Sequence, residues 1–341
     1  MNRVNQYLFS SFLSTFASLF ATLFLIVSIV FFIQIARITS YIDISFFELL
    51  KLYLFMLPQI LLFTIPIGFF VALAMSFFRL SRENESIVIF TLGYNPKDIA
   101  KFFLKISTIL SITLLFIALV AMPTAMNLNN NFVAYKKTKL SLNIKPSEFG
   151  QKFGEWMVFI DKQNIDENLS KYENIVLYNH NKDNERFITA SSGDITNENA
   201  RLNLILKDGY IYDIKDNKWN VSKYDLLTIR SNIQDSSNDN FSIAAYWKQT
   251  SSDPKVAKNL TIYCLIALFP LASTLFALSF GIVTYRYEKG MVYIGIFAVL
   301  SAYFTAILLL SKHPFYGIPL VFVVTFLLSQ VAFINKVVKK Y

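Results

Sequence analysis

Arg79-Leu-Ser-Arg-Glu-Asn-Glu85 sets two cations and two acids within seven residues, between two long uncharged stretches. The mostly apolar Ser86–Leu92 and then Gly93 follow it. Crowded charge running into apolar residues predicts a short amphipathic helix at a membrane surface. Gly93 suits its C′ position, where a left-handed backbone is cheap for glycine. Arg82, Glu83 and Glu85 can form an ordinary solvated face, or a docking element whose acids meet arginines of a soluble partner. Two further cations stand at the margins of apolar runs, Arg37 and Lys312. Each can snorkel from a helix end, or meet a phosphate or other anion, for which the planar fork of Arg37 is suited.

Catalytic signatures are absent. No phosphate-binding loop, HExxH or GxSxG pattern occurs. His180 and His313 lie far apart and read as loop residues, and the single cysteine, Cys264, lies inside an apolar run. No catalytic, cofactor-binding or metal-binding residue is therefore expected. An energy source has to come from a partner or an ion gradient. No charged residue or histidine lies deep in any apolar run, which argues against an ion-coupled carrier.

The elements that position these residues are written in hydropathy. Over 341 residues, 54% are hydrophobic, and the mean hydropathy is +0.45. Six uncharged runs reach the ~20 residues that a spanning helix needs: Val4–Ala36, Leu52–Phe78, Ile106–Tyr135, Asn259–Tyr285, Gly290–Ser311 and His313–Asn335. The first is too long for the apolar part of a signal peptide. The third is expected to end its helix near Met122-Pro123, and Pro58 and Pro66 place the second inside a bundle. After Gly93, Asn95-Pro96 restarts a helix as N-cap and first position, with Asp98 at the positive end of the dipole.

Orientation follows from Lys and Arg in the short loops. One side holds Arg3, Arg79, Arg82, Lys97, Lys101, Lys105, Arg286, Lys289, Lys336, Lys339 and Lys340, against four acids. The other holds only Arg37, Lys51 and Lys312. The first side is expected to be cytoplasmic, with both termini there. The net charge of +9 is thus mainly a topology signal, and no nucleic acid is implied. No other cytoplasmic loop is long enough to bind a partner, which favours docking for the Arg82–Glu85 cluster.

Residues 124–258 read as an exported all-β domain between membrane segments 1–123 and 259–341, the first of which includes a cytoplasmic helix over 79–93. Strands are predicted at Trp156–Asp161, Tyr172–Asn179, Arg186–Ser191, Arg201–Leu206, Tyr210–Ile214, Trp219–Tyr224 and Leu226–Arg230, with turns at Lys207-Asp208-Gly209 and Lys215-Asp216-Asn217. Such spacing suggests a sandwich or jelly roll, followed by a polar connector over Asn232–Asp253.

Several stretches together resemble the LptF/LptG family of lipopolysaccharide export permeases. They are Leu57-Pro58, Ile65-Pro66, the Arg79–Glu85 cluster with Gly93, and Tyr316-Gly317-Ile318-Pro319, set in three helices, a β insert and three more helices. The resemblance implies a six-helix permease subunit of an ABC transporter in the bacterial inner membrane, with a periplasmic β-jelly-roll domain and no ATPase site of its own. Its implied partners are a cytoplasmic LptB-like ATPase dimer, a second LptF/LptG-type permease, and a periplasmic LptC/LptA-like β-jelly-roll protein. The implied cargo is lipopolysaccharide or lipooligosaccharide. By the same resemblance Glu85 is matched to the acid that pairs with an ATPase arginine, within the coupling group Arg82, Glu83, Glu85 and Gly93. Arg37 is matched to a cation that contacts lipid A phosphates, with Lys312 at comparable depth. Cations are few there, so phosphate recognition rests largely on the partner permease. Two other classes remain open from the residues: a transferase for lipid-linked sugars using Asp43 and Glu48, and a periplasmic-ligand receptor.

Overall fold

The computed structural model describes residues 3–39, 44–141, 151–153, 156–166, 169–181, 184–198, 201–215, 218–230, 241–282 and 291–339. They divide into two compact units, one of 1–37, 46–128 and 240–341, the other of 38–45 and 129–239.

The first unit holds the membrane helices. In chain order they are α1 (Arg3–Thr39), α2 (Phe46–Arg82), the short α3 (Glu85–Thr91) and α4 (Pro96–Phe116). A π-helical turn, Ile117–Ala121, carries α4 into α5 (Met122–Ser141). After the β insert come α6 (Ile243–Lys248), α7 (Pro254–Gly281), α8 (Met291–Leu310) and α9 (Pro314–Phe333). Six of these segments are long and apolar enough to cross a membrane, as the hydropathy predicts.

Burial ranks the helices. The most apolar windows of α2 and α7 are 67% and 72% buried, against 11% for α1. Prolines 58 and 66 thus sit in a helix enclosed by protein, as expected of backbone that has lost hydrogen bonds. α2 and α7 approach closely at their C-terminal ends through Gly281. A β-carbon there would lie 2.5 Å from Phe77 Cβ and 2.8 Å from the Ala74 carbonyl oxygen. Aromatic rings fill the space around this pair: Phe70 meets Phe269 edge-on, and Phe269 meets Tyr303 of α8.

The third span does not end at Met122-Pro123; helix continues to Ser141. Pro123 has no N–H to give the Leu119 carbonyl, its α-helical partner four residues back. The backbone absorbs the proline with the π turn, and the Trp247 indole of α6 donates to Leu119 O at 2.8 Å. The connector after the β insert is therefore partly helical and pinned to the helix that precedes the insert.

Among its described residues the second unit holds, besides the end of α5, a sheet of six strands, β1 (Gln151–Phe153), β2 (Trp156–Asp166), β3 (Leu169–Asn181), β4 (Asn184–Glu198), β5 (Arg201–Lys215) and β6 (Lys218–Arg230). Neighbours in sequence are antiparallel neighbours in space throughout. The inserted β domain is present, with longer strands than predicted and, among the described residues, fewer of them. Arg201–Leu206 and Tyr210–Ile214 are one strand, as are Trp219–Tyr224 and Leu226–Arg230, and Lys207-Asp208-Gly209 is no turn. His180, expected in a loop, lies in β3.

The cause is a transverse crease. All four long ladders skip the row Asp161, Asn174, Ser191, Asp208 and Asp225 while keeping their register on either side. Asn174 and Asp208 there have φ of 52° and 50°, which short polar residues tolerate best after glycine. Inward side chains normally recur every second residue. Across the crease the step is three: Tyr172 to Ile175 on β3, Ala190 to Gly193 on β4, Leu206 to Gly209 on β5. Both halves thereby feed one cluster containing Val158, Ile160, Tyr172, Ile175, Leu177, Ile188, Leu204 and Leu206. At Gly209 a β-carbon would strike the Thr189 carbonyl at 1.8 Å. Tyr224 crosses over this glycine and donates to Thr189 O at 2.8 Å, and burial pushes its hydroxyl pKa up to about 12.

Candidate functional site

The charged cluster lies where α2, α3 and α4 meet. α2 runs through Arg82, so Arg79 and Arg82 stand on its last turns and the short helix begins only at Glu85. Asn84 breaks the two apart, with φ 60° in the left-handed region. At the far end Gly93 has φ 83°, and a Schellman motif closes α3: Gly93 N–H donates to Phe90 O, Tyr94 N–H to Ile89 O. Asn95 then caps α4 through Lys97 N–H at 2.8 Å, with Pro96 following it. The Gly93 cap and the Asn95-Pro96 restart agree with the sequence reading, whereas the short helix expected over 79–93 covers only Glu85–Thr91 because α2 continues through Arg82.

Around this corner three helices hold the loop. From α1, the Tyr7 hydroxyl donates to Glu85 Oε2 at 2.5 Å. Tyr94, just past α3, donates to Asn5 Oδ1 at 2.5 Å. Arg79 Nη2 donates to Ser11 Oγ at 2.8 Å, and Ser11 Oγ lies 3.2 Å from Ser76 Oγ. On the buried side Ser86 donates to Ser81 Oγ at 3.2 Å, and Ser81 donates to the Gly281 carbonyl at 2.9 Å. α3 is thus coupled to the end of the most buried helix, α7, through two hydroxyls. The outward side of the loop is exposed at Arg82, Glu83, Ile87, Val88, Thr91 and Leu92, with Leu92 80% exposed. An acid beside exposed apolar residues on a short helix closed at its C-terminal end suits a groove with a cationic rim.

Arg37 is exposed in the last turn of α1. Lys312 is exposed in the turn between α8 and α9, whose N-cap residue is His313. Counting helices puts both at the opposite end of the bundle from α3. Of the carboxylates weighed for transferase chemistry, Glu48 lies in the first turn of α2 and Asp43 lies outside the described residues. No group of three or more His, Cys, Asp or Glu side chains fit for a metal ion exists among the described residues.

Sequence reasoning missed Asn5, Tyr7, Ser81, Tyr94 and Gly281. Each acts on a partner 78 to 200 residues away, except Ser81 toward Ser86. No local pattern marks such pairs. A tyrosine near the end of a spanning run reads as an interfacial anchor, and that ordinary role hides its bond to Glu85.

Residues 6–334 match the family model described as lipopolysaccharide export system permease LptF/LptG. A search of curated proteins finds no match.

Proposed function

The chain belongs to the LptF/LptG family of lipopolysaccharide export permeases, and from that premise we propose that it couples ATP hydrolysis on a partner to extraction of lipopolysaccharide from the inner membrane. As a family member it is a transport subunit of the inner membrane and not itself a catalyst. The finer reading is a permease half that pairs with a second LptF/LptG-type chain and sits on a cytoplasmic LptB-like ATPase dimer. Lipid rises past the outer ends of the helices into the β domain and on to an LptC/LptA-like bridge. The functional divisions are residues 1–123, 124–258 and 259–341, with the β domain periplasmic and both termini cytoplasmic.

One observation carries this reading: the short helix α3, closed at its C-terminal end by the Schellman motif, sets the Glu85 acid beside exposed apolar residues and is bonded to α1 and α7. A segment built that way can take a push from a soluble motor and pass it into the bundle. Lipid physics supports the rest. Each buried CH₂ is worth about 0.8 kcal/mol, so acyl chains leave a bilayer only along an apolar path. Leu25, Ile26, Ile29 and Val30 give the outer half of α1 an exposed apolar face, and residues of α8 and α9 such as Leu308 and Leu320 offer more. Arg37 and Lys312 at that end are placed to meet headgroup phosphates.

The test is Glu85→Lys in the complex purified with its partners. Lipopolysaccharide extraction per ATP is expected to fall at least about tenfold, the effect of turning a charge-assisted pair into a repulsive one, with the helices still folded. Unchanged extraction removes the coupling role.

A further inference from the structure

The first turns of α1 are gripped from two sides by one loop. Asn5 and Tyr7 are two residues apart, which at 3.6 residues per turn sets their side chains about 200° apart around the helix. Tyr7 reaches Glu85 at the start of α3, and Asn5 takes the Tyr94 hydroxyl just beyond its end. The loop therefore straddles α1. One turn further in, Ser11 continues the Tyr7 side by bonding Arg79 of α2, while Phe9 continues the Asn5 side by meeting Phe102 of α4 edge-on. Between the two sides Leu8 and Phe12 are 1% and 3% exposed, and Phe12 packs on Phe69 of α2 and Phe103 of α4. The inner end of α1 is thus wedged in the angle that the α2–α3–α4 connection makes.

We propose that Tyr7 is a positioning residue for docking, orienting the Glu85 carboxylate toward a cationic side chain of the motor, and that Asn5 and Tyr94 make α1 the helix that moves with α3. This rests on the coupling reading of Glu85. A carboxylate on a short exposed helix samples several rotamers, and each costs affinity when one must be selected. The Tyr7 hydroxyl donates to Oε2 and leaves Oε1 and the remaining lone pairs of Oε2 for an arginine, since a carboxylate accepts about four hydrogen bonds. Because the same bond ends on α1, a displacement of Glu85 by the motor is delivered to the least buried span, the one whose movement disturbs the fewest internal contacts.

A double-mutant cycle on the full complex tests this. Tyr7→Phe keeps the ring and removes only the donor; Glu85→Gln keeps the shape and removes the charge. Affinity of the co-purifying ATPase for the permease in nanodiscs is measured with lipopolysaccharide extracted per ATP. Tyr7→Phe is expected to weaken the ATPase about fivefold, the scale of one hydrogen bond, and to change affinity less than twofold when Glu85→Gln is already present. An equal fivefold loss in both backgrounds, or no loss in either while Glu85→Gln weakens binding, overturns the positioning role and leaves the coupling role standing. No loss from Glu85→Gln overturns both. Tyr94→Phe is the independent arm: it is expected to leave ATPase affinity within twofold and to cut lipid extracted per ATP severalfold. Unaltered extraction there removes α1 from the transmission.

Discussion

At the scale of single residues, the proposed grip on motor and lipid rests on two side chains, Glu85 and Arg37. Glu85 is a half-buried acid at the start of α3 with a tyrosine donor from α1 beside it. Arg37 differs: it ends a long apolar helix and is exposed, so its guanidinium can face headgroups while its stem stays in the apolar layer. Replacing Arg37 with Ala is expected to reduce photo-crosslinking of lipopolysaccharide at the outer end of α1 about tenfold, the ~1.4 kcal/mol of a charge-assisted contact. Arg37→Lys is expected to recover only part of it, because an ammonium lacks the planar fork. Identical crosslinking in all three proteins would leave Arg37 as a snorkelling anchor.

Elements show how a few backbone positions carry the design. Gly93 and Gly281 flank the charged corner for unlike reasons. Gly93 has φ 83° with open space around it, so alanine there costs only backbone strain of ~1–2 kcal/mol. Gly281 is a matter of space: its missing β-carbon admits Phe77 and the Ala74 carbonyl. Backbone on both sides must move for any side chain, so Gly281→Val is expected to cost about 3 kcal/mol or more. Thermal melting in detergent should therefore fall further for Gly281→Val than for Gly93→Ala, and the reverse order would contradict the close crossing of α2 and α7. The β sheet repeats the lesson. Its Asn174–Asp208 crease lets strands change the inward face in mid-course, and Tyr224 covers Gly209, where the crease leaves no room for a β-carbon.

For the molecule as a whole, the coupling corner and the β insert are expected to face different compartments. Cys264 is the single cysteine and is buried, so Cys264→Ser leaves a cysteine-free background for labelling. In intact cells an impermeant maleimide is expected to label Ser222→Cys in β6 and to spare Val88→Cys in α3. After lysis both should react, since Ser222 and Val88 are exposed. Labelling of Val88→Cys in intact cells would invert the topology and remove both the docking and the export readings.

What the amino-acid order determined by itself is whatever depends on length, hydropathy and nearest neighbours. Six spans, an inserted β domain, the Gly93 cap and the Asn95-Pro96 restart are of that kind, because each is a free-energy choice made within a few turns of chain. Tertiary structure decided the remainder. Tyr7 meets Glu85 only once α1 lies in the α2–α3–α4 angle, and Ser81 meets Gly281 only once α2 and α7 cross. Asp208 read as a turn because a two-residue period that shifts phase looks, from one strand alone, like an ending. Its neighbours Asn174 and Ser191 show it to be a fold line, and they become neighbours only through pairing. The helix past Pro123 likewise survives with the help of an indole 128 residues away, a donor that no local pattern announces.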